Sequence, residues 1–470
     1  MIQLDAYLEG VYYGRFAEGD HTGELVFIYD ESAPATPISL SIPRDGRASR
    51  SAATNLLDNL LPDRDEVRER MKKSYGAAGT DALSLLAAAG GDIAGGLVLV
   101  PAGADLRHDQ PILDPALDMD VAERIAAIKR DPDAWTSSEG PARFSLAGSQ
   151  GKFALADYDG EWYWSNRTLP STHIIKPAAT RLPGLEPVEA DTLALASAVG
   201  LPAAKASLLH MLDQRAFIVE RFDRAPTGTV AAQRIHAEDL AQASGTSAKR
   251  KYDQTAKQTI ELLRAAKHTD PDIEYDFLRQ LAFNTMIGNT DAHAKNYSVL
   301  LRPDRISLAP LYDTVPVILY PEYDQNLAMD ISGARRPHAA SLDHWRKLAR
   351  TTGLDIDRVE HEIRALAAAM NGAIEDAWPN IDPIQRNELL PLVKRNLLAA
   401  TSDTATPRAR QALQPRDVTQ SRDGEFRGHE RDETQIEPDP QPARPIQTGT
   451  NPCSRPKQEK PQPEKRPTPQ

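Results

Sequence analysis

The residues best suited to chemistry lie in Gly288-Asn289-Thr290-Asp291-Ala292-His293-Ala294-Lys295-Asn296, followed beyond an apolar run by Leu311-Tyr312-Asp313. An Asp, an Asn five positions on and a second Asp past an intervening hairpin is an order suited to phosphoryl transfer. That reaction needs an acceptor beside an incoming hydroxyl, and hard oxygen ligands that hold magnesium against nucleotide phosphates. Asp291 is the candidate acceptor, and Asn296 and Asp313 are the candidate magnesium ligands. A lone Asp-x4-Asn pattern is a weak signal, so the reading depends on what the rest of the chain supplies.

Phosphoryl transfer from a nucleotide also needs a cation on the phosphates, a close-fitting loop over them and a backbone edge for adenine. Lys176 ends the β-prone run Thr172-His173-Ile174-Ile175-Lys176, where its ammonium can neutralise phosphate oxygens. Phe144-Ser145-Leu146-Ala147-Gly148-Ser149-Gln150-Gly151-Lys152 offers two glycines between strand-like segments, so backbone N–H groups can approach phosphates closely. It is neither a Walker A motif nor a G-x-G-x-x-G. Val219-Glu220-Arg221-Phe222-Asp223-Arg224 closes the last strand before a helical region, which places the adenine edge at Glu220 to Phe222. The bland readings are a strand-end lysine facing water and alternating polar residues on a strand.

The elements that must position these residues are legible as alternation and helical periodicity. Glu9-Gly10 separates two β-prone stretches, and Leu25 to Tyr29 is a third. Helical patterns follow at Ala52 to Leu61, stopped by Pro62, and at Asp81 to Ala89, stopped by Gly90-Gly91. Beyond a Pro-rich bridge at Pro101 to Pro115, strands are expected at Lys152 to Tyr158, Glu161 to Trp164 across an Asp159-Gly160 turn, His173 to Lys176 and Arg215 to Phe222. The third part is mostly helical, with apolar periodicity in Ala256 to Ala266, Phe277 to Ile287, Val359 to Met370 and Glu388 to Ala399. Within it, Tyr297 to Leu301, a Pro303-Asp304 turn and Ile306 to Leu311 read as the hairpin that returns Asp313 to Asn296. The expected fold is α+β: a small N-terminal unit at 1–105, a strand-rich nucleotide-binding lobe at 140–235 and a helical catalytic lobe at 236–402. Residues 403–470 hold 12 of the 36 prolines with mixed charges and no apolar period, and read as a disordered tail.

Composition narrows the class. The 470 residues are 40% hydrophobic, enough for sizeable cores, and no apolar run reaches membrane-spanning length. The start MIQLDAYLEG lacks the order of a signal peptide, so a cytoplasmic protein is expected. One cysteine, Cys453, excludes an internal disulfide framework and a cysteine-based zinc site. A net charge of −12 argues against a chain that coats nucleic acid unaided.

Eight segments in order, PISLSIP at 37–43, LLDNLLPDRDEVRER at 56–70, RFSLAGSQGK at 143–152, STHIIKP at 171–177, VERFDR at 219–224, RIHAEDLAQ at 234–242, GNTDAHAKNYSV at 288–299 and LAPLYD at 308–313, resemble the HipA family of serine/threonine kinases. These are toxins of HipA/HipB-type toxin–antitoxin modules. The resemblance implies a two-lobed kinase-like fold with an extra N-terminal subdomain. It implies Asp291 as catalytic residue, Asn296 and Asp313 as magnesium ligands and Lys176 as the phosphate-binding lysine. Ala147, Gly148, Ser149, Gln150, Gly151 and Lys152 would form the phosphate loop, and Glu220, Arg221 and Phe222 would hold adenine, with His293 and Lys295 also bordering ATP. His293, two residues after Asp291, is similar to a histidine of small-molecule and lipid kinases, a resemblance that implies a brace for the loop. Glu189 would orient Lys176. Ser145 matches the serine that family members autophosphorylate, and added phosphate charge there would oppose ATP phosphates. The loop departs from the commoner family form at Ser149 and Gly151. The implied partners are a small helix-turn-helix, HipB-like antitoxin, operator DNA through it, and a protein substrate of translation such as an aminoacyl-tRNA synthetase, with growth arrest and persistence as the outcome. Two other readings of the same residues stay open: a small-molecule kinase sharing the Asp-x-His-x-x-Asn loop, and a non-catalytic co-repressor that binds the antitoxin.

Overall fold

A computed structural model describes residues 2–20, 24–104, 110–135, 146–148, 150–178, 184–228 and 231–403. Ser145, Ser149 and the tail beyond residue 403 lie outside them. The chain begins with β1 (Leu4–Leu8), β2 (Val11–Glu18) and β3 (Leu25–Tyr29), then α1 (Ala52–Asp58), α2 (Asp65–Tyr75), α3 (Ala82–Ala89) and β4 (Leu97–Pro101). The four strands form an antiparallel sheet in the order β3-β2-β1-β4. Its first hairpin turns on Glu9 and Gly10, both left-handed at φ 52° and 80°, the turn geometry that matches strand twist. Phe16, Leu56, Leu57 and Leu86 meet in its core, each fully buried side chain contributing about 1.5–3 kcal/mol.

Next come α4 (Asp118–Arg130), β5 (Phe153–Tyr158), β6 (Glu161–Trp164), β7 (His173–Lys176), α5 (Leu185–Ala198), β8 (Ala206–Met211) and β9 (Gln214–Glu220). The strands make an antiparallel sheet in the order β6-β5-β7-β9-β8, which puts Lys176 on the central strand. Asp159 and Gly160, at φ 55° and 81°, turn β5 into β6. Val121, Ile125 and Ile128 of α4 pack with Phe153, Leu155 and Ile175 to form this lobe's core. Helix α4, which covers the sheet, lies between the expected bridge at Pro101 to Pro115 and the first strand of this lobe, in a stretch to which the sequence reading assigned no element.

Short strands β10 (Arg224–Ala225), β11 (Gln233–Arg234) and β12 (Ala237–Asp239) lead into α6 (Leu240–Ala243), α7 (Ala256–Ala265) and α8 (Ile273–Ile287). The hairpin β13 (Ser298–Arg302) and β14 (Arg305–Leu308) pairs with β12, and α9 (Leu342–Thr352), α10 (Ile356–Ala373) and α11 (Pro383–Thr401) complete the lobe. Helix α8 is buried on nearly every side. Phe277 and Phe283 from it, with Trp345 and Trp378, anchor the largest core. Helix α8 ends at Gly288, φ 81°, where a Cβ would lie 2.3 Å from Ile318. Only glycine fits there, and the tight exit launches the 289–296 loop. Among the described residues no helix is long and apolar enough to cross a membrane.

Candidate active site

The strand-rich sheet, the helical lobe and the N-terminal unit enclose a cavity of about 270 Å³. Lys176, from the last position of β7, sends its ammonium 2.8 Å from Glu189 Oε1 and 2.6 Å from Asp313 Oδ1. Glu189 comes from α5, a helix buried almost all round. Asn296 Nδ2 donates to the other Asp313 oxygen at 2.7 Å, and Asn296 Oδ1 accepts from the His293 backbone N–H at 3.1 Å. The hairpin β13–β14 therefore brings the second Asp back to the Asn, as its sequence implied. Asp313 adopts φ 52°, a left-handed conformation that is costly for a non-glycine residue and tends to occur where geometry serves function.

Electrostatics follow from two carboxylates sharing one ammonium. Burial alone would push Lys176 down, but Asp313 and Glu189 outweigh it and hold the ammonium above the usual lysine value. Enclosure acts upward on Asp313, yet Lys176 and then Lys152 prevail and keep it below the usual carboxylate range. Glu189 lies deeper, and there burial raises the carboxyl while Lys176 recovers only part. Lys152 is pushed down to about 8, first by burial and then by the Lys176 charge. Its Nζ donates to Ala147 O at 2.7 Å and lies 5.1 Å from the Trp135 ring centre. Four lysines, 152, 176, 251 and 295, border the cavity. Lys176, Lys251 and Lys295 are each ion-paired with carboxylates there, whereas the Lys152 ammonium contacts a backbone carbonyl.

Asp291 borders the same cavity, and its Oδ1 accepts from Tyr252 Oη at 2.8 Å. The Tyr252 ring meets His293 edge-on at 4.9 Å. His293 is held well below the ordinary imidazole value, first by burial and then by the Lys251 charge, so it is a neutral brace and not a cation.

Family models match along most of the chain: the HipA N-terminal domain over residues 4–100 and the HipA-like C-terminal domain over residues 144–378. The chain belongs to the HipA family. The serine/threonine-protein kinase toxin HipA of Shewanella oneidensis is 31% identical over 371 residues, covering 75% of this chain and 83% of that protein. The protein Y4mE of Sinorhizobium fredii is 30% identical over 390 residues, 79% of this chain and 92% of that one. Among solved structures, the Shewanella oneidensis complex of HipA, HipB and operator DNA matches with a TM-score of 0.70 at 27% identity, covering 84% of this chain and 96% of the matched one. The α+β, kinase-like fold read from the sequence is the fold of this HipA relative.

Within that HipA frame, the residues singled out in the sequence converge unevenly. Ala147, Gly148, Gln150, Gly151, Lys152, Lys176, Asp291, His293, Asn296 and Asp313 all border the cavity, as do Glu220 and Phe222. Arg221 borders it too, but its guanidinium turns away: it donates to Asp223, Ser171 Oγ and the Ile93 carbonyl beneath the N-terminal unit. Lys295 is likewise engaged, with its ammonium 2.8 Å from Asn59 Oδ1 and 3.1 Å from Asp239 Oδ2. Gly151 has a packing reason, since a Cβ there would lie 2.6 Å from Ile128 of α4.

Sequence reasoning missed the contribution of the N-terminal unit. Asn59 and Asp63, in the loop between α1 and α2, border the cavity. Asp63 N–H donates to Gly148 O at 3.1 Å, and its carboxylate pairs with Lys251 at 2.8 Å. Burial would raise Asp63, but Lys251 and then Lys295 bring it to about 2. The signal was the run Leu57 to Asp63, which resembles the family and carries Asn59 and Asp63 beside an otherwise apolar stretch.

Proposed function

We propose that this HipA-family chain is an ATP- and magnesium-dependent serine/threonine protein kinase, the toxin of a toxin–antitoxin pair. The observation that carries the reading is Lys176 held between Glu189 and Asp313, with Asn296 on the second Asp313 oxygen and Asp291 bordering the same cavity. Lys176 and Lys152 would receive the nucleotide phosphates, and the backbone of Glu220 to Phe222 would face adenine. Asp291 accepts the proton of a serine or threonine hydroxyl, whose oxygen forms a bond to the γ-phosphorus. The bond from that phosphorus to the β–γ bridging oxygen breaks, and ADP leaves. The amide oxygen of Asn296 and the carboxylate of Asp313 are hard donors that suit magnesium, which keeps one or two protein ligands and takes the rest from phosphates and water. When bound there, it would neutralise charge building on the phosphates.

The solved Shewanella relative is in complex with HipB and operator DNA. By that analogy this chain would take a small helix-turn-helix antitoxin and meet DNA through it, acting in the cytoplasm on a protein of translation. Ser145 would be the site of self-modification that turns the kinase off. The test is intact mass and phosphosite mapping after incubation with ATP and magnesium, beside Asp291→Ala. Phosphate on Ser145 in the wild type alone supports the reading. ATP binding without phosphate on any protein moves the activity to a small-molecule acceptor or to repression.

A further inference from the structure

Lys251 and Tyr252 are adjacent in sequence, and between them they reach both the N-terminal unit and the loop that carries Asp291. The Lys251 ammonium pairs at 2.8 Å with Asp63 of the N-terminal unit, both side chains over nine-tenths buried. The Lys251 carbonyl accepts from Ala294 N–H at 3.2 Å, inside the loop that joins Asp291 to Asn296. The Tyr252 hydroxyl donates to Asp291 Oδ1 at 2.8 Å, and its ring packs on His293. The same Asp63 anchors the phosphate loop through its backbone, and Pro62 bridges to Gly148 in parallel.

We infer that Lys251-Tyr252 is a positioning bracket that couples the N-terminal unit to Asp291, with Tyr252 as the residue that aims the carboxylate and Asp63 as the anchor that holds Tyr252. The inference rests on the kinase reading for its consequences in turnover, though not for its geometry. A carboxylate that must receive a hydroxyl proton has two oxygens and a rotatable bond. A hydroxyl fixed on one oxygen restricts rotation of the carboxylate and removes orientations that cannot react. The tyrosine can do this only if its own backbone is fixed, and the buried Lys251–Asp63 pair supplies that fixation. Any event that shifts the 59–63 segment would thereby reach both the phosphate loop and Asp291.

The experiment is a double-mutant cycle on the full chain, with ADP release read at varied ATP. Tyr252→Phe keeps the ring on His293 and removes one hydroxyl. It should lower kcat about tenfold, as loss of a charge-assisted hydrogen bond does, with KM for ATP changed less than about twofold. Asp63→Asn should lower kcat about threefold, and Asp63→Glu should restore part of it. The double variant should match Tyr252→Phe alone, because the anchor has no effect once the hydroxyl it positions is gone. Multiplying effects, or a Tyr252→Phe kcat within twofold of wild type, would overturn the bracket. Should the wild type release no ADP, the kinase reading fails instead. Hydrogen exchange at the Ala294 amide then decides the bracket without nucleotide: faster exchange in Asp63→Asn upholds it and unchanged exchange refutes it.

Discussion

Two clusters of opposite charges, each joining residues far apart in sequence, behave in opposite ways. In the cleft, Lys176 joins Glu189 and Asp313, and the Asp313 side chain stays 45% exposed. Beneath the N-terminal unit, Arg221 and Arg224 join Asp92 and Asp223, with side chains between 0% and 7% exposed. The sealed cluster reaches further partners in Ser171 Oγ, Gly95 N–H and the carbonyls of Ile93 and Gly95. It ties the end of β9 to the segment before β4. The cleft cluster buries Glu189 but leaves the Asp313 carboxylate open to the cavity, on a backbone conformation that costs energy. Charge that holds a fold together is enclosed and hydrogen-bonded, whereas charge meant for a substrate keeps a face open.

The comparison breaks most easily at its reactive end. Asp291→Ala should lower phosphotransfer by roughly 10²–10⁴-fold, the range for losing a general base, while leaving the denaturation midpoint nearly unchanged. A radiolabel assay paired with a urea melt would show it. Next in size is the sealed cluster: Arg221→Met leaves Asp92 and Asp223 to share Arg224, and should cost about 3–5 kcal/mol in a urea titration. An active-site role for that guanidinium would instead raise KM for ATP with stability preserved. The smallest effect concerns Lys152, whose folded value of about 8 lies below its unfolded value of 10.5. Between those pH values the unfolded chain binds more protons, so stability should rise with pH across that window, and Lys152→Met should flatten the rise. ATP affinity should fall in wild type as pH passes about 8, because a neutral amine no longer attracts phosphate.

Much of this architecture is written locally. Glu161 to Trp164, His173 to Lys176 and Leu25 to Tyr29 are read with their observed ends, because alternation and two-residue turns act over short range. The 288–313 segment is equally local, since a glycine exit, a loop and a hairpin suffice to join Asn296 to Asp313. Helix α5, implied at Glu189 only by the family resemblance, shows no period for a physical reason: it is buried on nearly every side, with Pro187 in its first turn, so it has no polar face to mark one. Helix α2 did carry a signal, Val67, Met71 and Tyr75 at four-residue spacing, all buried. The destination of the Arg221 guanidinium was not legible, because alternation along β9 says which side a residue faces but not what covers that side. Its partners Asp92 and Ile93 lie well over a hundred positions earlier. Asn59 and Asp63 reach the cavity through the same kind of distant contact, which no local pattern encodes.

The claim that the two clusters divide chemistry from architecture is tested most directly by paired isosteric changes, Asp313→Asn and Asp223→Asn, each measured for phosphotransfer at 15 °C and for unfolding free energy in urea. The account predicts that Asp313→Asn loses transfer and stays within about 1 kcal/mol of wild-type stability. It predicts that Asp223→Asn loses about 3 kcal/mol or more and still transfers phosphate while folded. Transfer surviving in Asp313→Asn, or lost from folded Asp223→Asn with stability intact, would contradict it.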